Sequence, residues 1–238
     1  MRSTFARPSK GEGTVLFSYS RDDIIDDVED LSVSDVLFLG IVNCSPAKIT
    51  RIQKLSLFAS RILDLGPELS HYAFDYGGFS NEMQGSELSL ENDGAVLKDH
   101  DEFTLTSYGK ALLEEASNDP RFKGIIDRLP GIVAYLESLS DWDLKQLSYI
   151  VYPDTAVKST IKHMMDLDAS AVGDFRIRRD LSREQMQRML LQSKGSVNVL
   201  DRLKDRGSVI VSDVNGNAVL VTRNHDRYIT AERVIRFR

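Results

Sequence analysis

The order of secondary-structure signals in residues 32–117 is the feature of this sequence that most restricts its fold. Three helical patterns come first: one over residues 36–42, one that begins at Thr50 with apolar residues at three- and four-residue steps, and one that begins at Ser80. Two short strand patterns joined by a polar turn follow over residues 95–106. Three helices followed by a hairpin predict a winged helix-turn-helix domain in an α+β protein.

The chain on either side of these signals differs in pattern. Residues 119–168 have broad apolar stripes at helical spacing, and Pro130 is expected to kink or split the first of them. We therefore predict a mostly helical domain over residues 32–168, in which a helical extension follows the winged helix. Residues 1–31 end in an acidic cluster and are expected to form a flexible lead-in.

Charge separates the end of the chain from the rest. Residues 171–238 contain 14 Lys and Arg against 8 Asp and Glu, whereas residues 1–170 contain 16 against 28. The basic part has helical patterns and then two apolar runs around Asn215-Gly216, which is a strong hairpin signal. We expect a small basic helix-and-hairpin domain over residues 169–238 whose partner differs from that of the acidic part.

The composition of the 238 residues excludes several classes of protein. With 42% hydrophobic and 28% charged residues, the chain can bury a core, and its longest apolar run is far below the roughly 20 residues of a membrane span. The single Cys44 cannot form an internal disulfide and fits a cytoplasmic location. The four histidines have no ligand spacing, and neither a phosphate-binding loop nor a nucleophile motif occurs. We therefore expect no metal, no cofactor and no catalytic residues.

Four short motifs occur in the predicted winged-helix domain. They are Ile-Thr-Arg-Ile-Gln-Lys-Leu at 49–55, Phe-Asp-Tyr-Gly-Gly-Phe-Ser at 74–80, Asn-Asp-Gly-Ala-Val at 92–96 and Phe-Thr-Leu-Thr-Ser-Tyr-Gly at 103–109. Together they resemble Panacea-type antitoxins and related prokaryotic winged-helix proteins, although Gly78 stands where that family usually has proline. The resemblance extends over about residues 34–162. It implies a chaperone-like antitoxin or regulatory domain that masks a partner protein without catalysis.

The basic tail has the charge of the DNA-binding module to which such domains are often joined. It resembles, faintly, prevent-host-death antitoxins, a second winged helix or a nucleotide-sensing CBS half-motif, and the sequence does not separate the three. A helix beginning at Ser196 would present Asn and basic side chains, which suit base edges and phosphates. The residues expected to bind DNA from this helix and the following hairpin are Asn198, Arg202, Lys204, Arg206, Arg223 and Arg227.

The predicted recognition helix of the first domain is acidic. It contains Glu82, Glu87 and Glu91 and has neither Lys nor Arg, so it would be repelled by a phosphate backbone. We therefore expect this domain to bind a protein. Aromatic side chains dominate the energetics of such interfaces. The residues expected to bind the partner are Tyr72, Phe74, Tyr76 and Phe79.

The sequence thus favours a non-enzymatic regulatory protein, either antitoxin-like or a transcriptional regulator. Its first domain would bind a protein, such as a toxin, and its tail would bind DNA, with a homodimer as the expected state. The alternative is an interaction or adaptor protein with no nucleic-acid role, which the net charge of −6 favours. Sensing of a small molecule by the tail is a third hypothesis.

Overall fold

The computed structural model describes residues 19–190 and 196–234. The chain contains both helices and antiparallel sheets, which confirms the predicted α+β class. The helices are α1 (Arg21–Glu29), α2 (Val33–Cys44), α3 (Ile49–Leu63), α4 (Asn81–Asn92), α5 (Ser107–Ala116), α6 (Lys123–Leu136), α7 (Asp141–Val151), α8 (Arg183–Leu190) and α9 (Ser196–Arg202). The strands are β1 (Ala47–Lys48), β2 (Tyr72–Phe74), β3 (Gly77–Phe79), β4 (Val96–Asp99), β5 (Glu102–Leu105), β6 (Ala171–Val172), β7 (Phe175–Leu181), β8 (Ser208–Ser212), β9 (Ala218–Asn224) and β10 (Arg227–Arg233).

Helix α2 lies at the centre of the fold. Its N-terminus is a capping box, in which the N–H of Asp35 donates to Ser32 Oγ and the N–H of Ser32 donates to the Asp35 carboxylate. Every residue from Val36 to Val42 is buried, and α3, α4, α5 and α6 all contact the helix. A helix that is apolar on all sides must be covered by other elements on all sides. The apolar run at residues 36–42 therefore lies in the central helix of the fold.

A small antiparallel sheet completes the region around α2. Its strand order is β1-β5-β4, so β1, which lies between α2 and α3 in the chain, pairs with the second strand of the later hairpin. The hairpin turn contains His100 and Asp101, both with positive φ. The three helices and the hairpin that the sequence predicts over residues 32–117 are present, and β1 and the β2–β3 hairpin are additions.

Residues 21–29 correct the prediction of a flexible lead-in up to residue 31. They form α1, which begins with a second capping box at Ser20 and buries Ile24 and Val28 against α5. The guanidinium of Arg121 donates to the carbonyl oxygens of Val28 and Glu29 and so satisfies the end of the helix. The acidic side chains mark only the exposed face of this helix, and residues 1–18 lie outside the described part of the chain.

The prediction of helix throughout residues 119–168 is correct only as far as Val151. Helix α6 continues through Pro130, which lies on its exposed side, and α7 follows from a Ser140 cap. Beyond α7 the chain has short 3₁₀ turns at Pro153–Ala156 and Lys162–Met164 and otherwise irregular backbone.

The end of the chain is a five-stranded antiparallel sheet with strand order β6-β7-β10-β9-β8. This corrects the prediction of a helix and a single hairpin. Strand β7 was missed although Phe175 and Ile177 are buried between exposed arginines, the alternation expected of a half-buried strand. The predicted pair around Asn215-Gly216 is confirmed as β8 and β9, with Gly216 at φ 83°.

The hydrophobic core does not divide at residue 168. One face of the terminal sheet contributes Phe175, Leu220 and Ile229 to the core that surrounds α2, while its other face packs on α8 and α9. The phenol of Tyr135 on α6 accepts a hydrogen bond from the N–H of Leu220 and donates to the carbonyl of Ala231. The sheet is therefore a middle layer between the helical region and two covering helices.

No helix within residues 19–190 and 196–234 is long and apolar enough to cross a membrane.

Candidate functional site

The β2–β3 hairpin presents one aromatic face and one small face. Tyr72 pairs with Phe79, and Ala73 pairs with Gly78, so alternation along the strands separates the rings from the small residues. A side chain at Gly78 would lie within 2.7 Å of Leu57 on α3, which shows how closely the small face approaches the core. The aromatic face is consequently turned outward.

The rings on the outer face contact one another. The ring centroids of Tyr72 and Phe79 are 5.7 Å apart, those of Tyr72 and Phe74 are 6.3 Å apart, and those of Phe74 and Phe79 are 5.1 Å apart. Tyr72 is 39% exposed and Phe74 46%. At the turn, Tyr76 is 53% exposed and lies 5.8 Å from the Nζ of Lys145. The four residues that the sequence nominates for partner binding thus lie together, and we name them the aromatic surface.

Buried polar side chains of α3 hold the hairpin from beneath. The Gln53 side chain accepts from the N–H of Ser80 at 2.9 Å and donates to the carbonyl of Ser80 at 3.1 Å. The Nζ of Lys54 donates to the carbonyl of Gly78 at 2.8 Å. Gln53 and Lys54 are polar positions beside the apolar stripe of α3, yet both are buried because the hairpin covers this side of the helix.

Gly77 fixes the position of the hairpin turn. Its φ is 85°, and a Cβ there would lie 2.2 Å from the ring of Tyr149 on α7. The turn therefore needs glycine both for its backbone conformation and for its approach to that ring. The hydroxyl of Tyr149 is in turn bonded to Ser159 at 2.7 Å.

The groups under the hairpin have altered ionisation. Burial, together with the nearby charge of Lys145, lowers the pKa of Lys54 to about 7. Burial, with the charges of Arg61 and Lys54, lowers the pKa of His71 to about 3. The two nitrogens of the His71 ring lie 3.0 Å from Ser56 Oγ and 3.3 Å from Ser60 Oγ. A neutral imidazole suits this pair of hydroxyls, because one nitrogen donates and the other accepts.

Arg51 joins α3 to the α6–α7 connection. Its guanidinium donates to the carbonyls of Glu137 and Leu139 and pairs with Asp141 at 3.0 Å. In the Arg-x-Gln-Lys motif of residues 51–54, the three polar side chains therefore all attach neighbouring segments to α3. Gln53 and Lys54 support the hairpin, and Arg51 supports the α6–α7 connection.

The basic residues nominated for DNA binding are divided by the structure. Helix α9 ends at Arg202, so the expectation that it continues to Arg206 is wrong, and Arg206 has φ 59° in the following loop. Lys204 pairs with Asp64 on the α3 C-cap at 2.6 Å, and Arg206 pairs with Asp154 at 3.0 Å. These two ion pairs link the loop after α9 to the helical region.

The other four nominated residues differ in their exposure and contacts. Arg223 is partly buried and donates to the carbonyls of Leu203 and His225. Asn198, Arg202 and Arg227 are exposed, and none of their side chains makes a hydrogen bond or ion pair with another residue of the ranges 19–190 and 196–234. Asn198 and Arg202 are four residues apart on α9 and share one side of the helix.

A polar cavity of about 250 Å³ lies where the loop after α9 meets α3. Its charged groups are already paired: Asp154 lies between Arg61 and Arg206, Lys204 faces Asp64, and Asp205 faces His225. The cavity thus lies at a joint, by which we mean the place where ion pairs link the loop after α9 to the helical region. In the part of the chain that the structure describes, no three His, Cys, Asp or Glu side chains form a metal-binding group.

The acidic helix of the first region is exposed, as its sequence suggested. Glu82 and Glu91 lie on the outer side of α4, while Glu87 pairs with Lys98 at 3.1 Å. The Ser80 hydroxyl caps the helix and also donates to Glu82.

Two residues of the site were missed. Lys145 gave no signal except its position within a helical pattern. Trp142 belongs to an apolar stripe at helical spacing, a pattern that predicts burial, but it is 40% exposed, one helical turn before Lys145. No family model, curated protein or solved structure matches this chain. The family resemblance therefore depends on the four sequence motifs alone, and the geometry of the site carries the functional argument.

Proposed function

We propose that this chain is a non-enzymatic regulatory protein that binds a partner protein through the aromatic surface. The observation that carries the proposal is the mutual contact of three rings on the outer face of the β2–β3 hairpin, of which Tyr72 and Phe74 are exposed and Phe79 is partly buried. Contiguous exposed apolar patches are uncommon on proteins that bind nothing, and aromatic residues are enriched among the side chains that dominate interfaces.

The support beneath the hairpin favours the same use. Gln53 and Lys54 fix its backbone, and Gly77 fixes its turn against Tyr149. A surface held in one conformation loses little entropy when a partner binds, which leaves more of the contact energy as affinity. The buried clamps therefore support binding by a preformed surface.

The topology around α2 supports assignment to the winged helix-turn-helix class. The chain order α2-β1-α3-β2-β3-α4-β4-β5, with sheet order β1-β5-β4, supports α4 as the counterpart of a recognition helix, with the β2–β3 hairpin inserted between α3 and α4. Because α4 exposes Glu82 and Glu91 and has no basic residue, it is unsuited to a phosphate backbone. This favours the use of the first region for a protein.

Within this proposal the chain acts as an antitoxin-like or transcriptional regulator, in line with the motifs that resemble Panacea-type antitoxins. The partner would then be a protein such as a toxin, and the regulator would be a homodimer. The adaptor alternative has the same aromatic surface but no contact with nucleic acid.

A direct test is affinity capture with purified variants of the full chain. Phe74→Ser combined with Tyr76→Ser removes two exposed rings, and Leu97→Ser is a matched control because Leu97 is 60% exposed on β4. We expect one partner that is retained by the native chain and by the control and is lost from the aromatic variant. A partner retained equally by all three would contradict the proposal.

DNA binding by the tail is a second candidate, which the exposure of Asn198, Arg202 and Arg227 favours. Fluorescence anisotropy of the full chain with DNA from upstream of its coding region, at two salt concentrations, tests it. A truncation at residue 168 is unsuitable because it would remove Leu220 and Ile229 from the core.

The expected result for a DNA-binding regulator is salt-sensitive binding that Arg202→Ala with Arg227→Ala weakens. Lys48→Ala with Lys110→Ala changes the net charge equally and should have no such effect, since both lysines are exposed elsewhere. Absence of salt-sensitive binding, together with a captured protein partner, would favour the adaptor.

A further inference from the structure

Strand β8 forms one edge of the terminal sheet, and among the described strands it pairs with β9 alone. At its start the N–H of Arg223 donates to the carbonyl of Gly207, and just past its end the N–H of Asp213 donates to the carbonyl of Asn217. In an antiparallel ladder these two bonds mean that odd-numbered residues of β8 turn their backbone groups toward β9, and even-numbered residues turn theirs away. Within residues 19–190 and 196–234, the N–H and carbonyl of Ile210 accordingly bond to no other residue.

The opposite edge of the sheet is closed by its own neighbours. Strand β6 has only two residues, and beyond it the N–H of Ile177 on β7 donates to the carbonyl of Ser170 at 2.8 Å. The guanidinium of Arg179 donates to the carbonyls of residues 167–169 and so holds that loop along the strand. Short strands, charged side chains and covering loops commonly prevent an edge from pairing with another chain. In β8, none of the five residues is charged or a proline.

The side chains of β8 are less covered than those of the strand beside it. Val209, Ile210 and Val211 are half-buried, whereas residues 219–221, which lie opposite them on β9, are fully buried. Val209 and Val211 pack toward α8 and α9, and Ile210 packs toward the core around α2. The cover on both faces of the sheet therefore ends before the open edge. This leaves apolar surface and space for another strand beside β8.

The sequence of β8 is complementary to itself. It is Ser-Val-Ile-Val-Ser at 208–212, which reads the same in both directions. When two such strands pair antiparallel with Ile210 opposite Ile210, each Val209 lies opposite a Val211 and no charge faces another. Pairs of β-branched residues across strands stabilise a sheet. Because the backbone groups of Ile210 point outward, this register also gives two hydrogen bonds across the centre.

We propose that the protein forms a homodimer in which β8 pairs antiparallel with β8 of a second copy, about a two-fold axis at Ile210. The two terminal sheets then become one continuous sheet. The inference assigns a dimer interface that the proposed function leaves open, and it does not depend on the aromatic surface.

The dimer has a consequence for helix α9. A two-fold axis between antiparallel strands is perpendicular to the sheet, so both copies turn the face covered by α9 to the same side. The exposed Asn198 and Arg202 of the two copies then lie on one side of the continuous sheet. Dimeric regulators that contact two half-sites of DNA have this two-fold arrangement.

The test is sedimentation of the full chain over a range of concentrations, compared with two variants. Ile210→Pro removes an N–H that the ladder with β9 does not use, and proline is tolerated on edge strands at such positions. We expect it to raise the dissociation constant of the dimer at least about tenfold. Ile210→Val keeps the N–H and the β-branched side chain and is the matched control, which should dimerise like the native chain. Circular dichroism verifies that each variant is folded.

A cysteine cross-link tests the register without the proline variant. In a Cys44→Ser background, Ile210→Cys would face its own copy across the axis with Cα atoms about 5.5 Å apart, which is within the range of a disulfide. Ser212→Cys is the matched control: position 212 is exposed, but in this register its two Cα atoms are roughly 14 Å apart. Under mild oxidation we expect covalent dimers of Ile210→Cys and not of Ser212→Cys.

The other outcomes would overturn the inference. A native chain that is monomeric at every concentration, a dimer that Ile210→Pro leaves equally tight, or equal cross-linking at positions 210 and 212 would each contradict it. A monomeric chain whose captured partner protein is lost with Ile210→Pro would assign the edge to a strand of that partner instead. Phe74→Ser should dimerise like the native chain, so failure of the dimer and failure of the aromatic surface are separable.

Discussion

The β2–β3 hairpin and the loop after α9 were both expected to bind partners, yet the structure uses their side chains in opposite ways. The hairpin is held by groups that lie beneath it, Gln53 and Lys54, and the rings of Tyr72, Phe74 and Tyr76 are exposed on its outside. The loop is held by its own cations, because Lys204 and Arg206 pair with Asp64 and Asp154. A side chain that secures its own segment is no longer free to bind a partner.

The largest predicted effect on stability comes from the buried Gln53 side chain that holds the hairpin. Gln53→Leu leaves the N–H of Ser80 unpaired in the core, while the carbonyl of Ser80 keeps the N–H of Gln84, and should lower the free energy of unfolding by about 2 kcal/mol. Denaturant-induced unfolding measures this loss of stability. Gln84→Leu on the exposed side of α4 is the control and should change stability by less than about 0.5 kcal/mol. Equal losses in both variants would show that the clamp does not hold the hairpin.

The second prediction concerns pH. The native pKa of His71, about 3, lies below its ordinary value of 6.5, so between these values the unfolded chain binds a proton that the native chain does not. Stability present above pH 6.5 is therefore lost as the pH falls, at up to about 1.4 kcal/mol per pH unit from this group. His71→Asn should flatten the dependence, whereas exposed His163→Asn should not. An unchanged pH profile in His71→Asn would contradict the buried neutral ring.

A third prediction addresses the loop. Arg206→Ala removes one of two guanidinium partners of Asp154 and should cost about 1 kcal/mol or less, because the pair is partly exposed. Arg202→Ala should leave thermal stability unchanged, since Arg202 is exposed. If Arg202→Ala is the more destabilising of the two, the assignment of Arg206 to the joint is wrong.

The smallest effect is expected on the aromatic surface itself. Phe74→Ser removes a ring that is nearly half exposed and should change the free energy of unfolding by about 1 kcal/mol or less. Thermal unfolding checks this. A much larger loss would mean that the rings serve the fold rather than a partner.

The sequence predicted the elements that have strong local signals. The N-cap at Ser80, the Asn215-Gly216 turn and the apolar run of α2 each depend on residues close in the chain, and each is confirmed. Acidic residues surround Ile24 and Val28 in the sequence, and their number favoured a flexible segment. The segment is instead the helix α1, in which Ile24 and Val28 are buried.

The predictions that were wrong concern residues whose contacts are distant in sequence. Lys54 is buried only because Gly78 lies over it, and Lys204 and Arg206 are engaged only because Asp64 and Asp154 come from other segments. No local pattern in α9 reveals those partners. For the same reason, the sequence could nominate the four aromatic residues but could not show that the rings of three of them contact one another on the outer face of the hairpin.

The central claim is that the aromatic surface binds the partner while the loop after α9 only holds the molecule together. The most direct test is calorimetric titration of the captured partner into three full-length proteins: the native chain, Phe74→Ser with Tyr76→Ser, and Lys204→Ala with Arg206→Ala. We predict that the aromatic variant binds at least about tenfold more weakly and that the loop variant binds like the native chain. Weakened binding in the loop variant, with native affinity in the aromatic variant, would contradict the account.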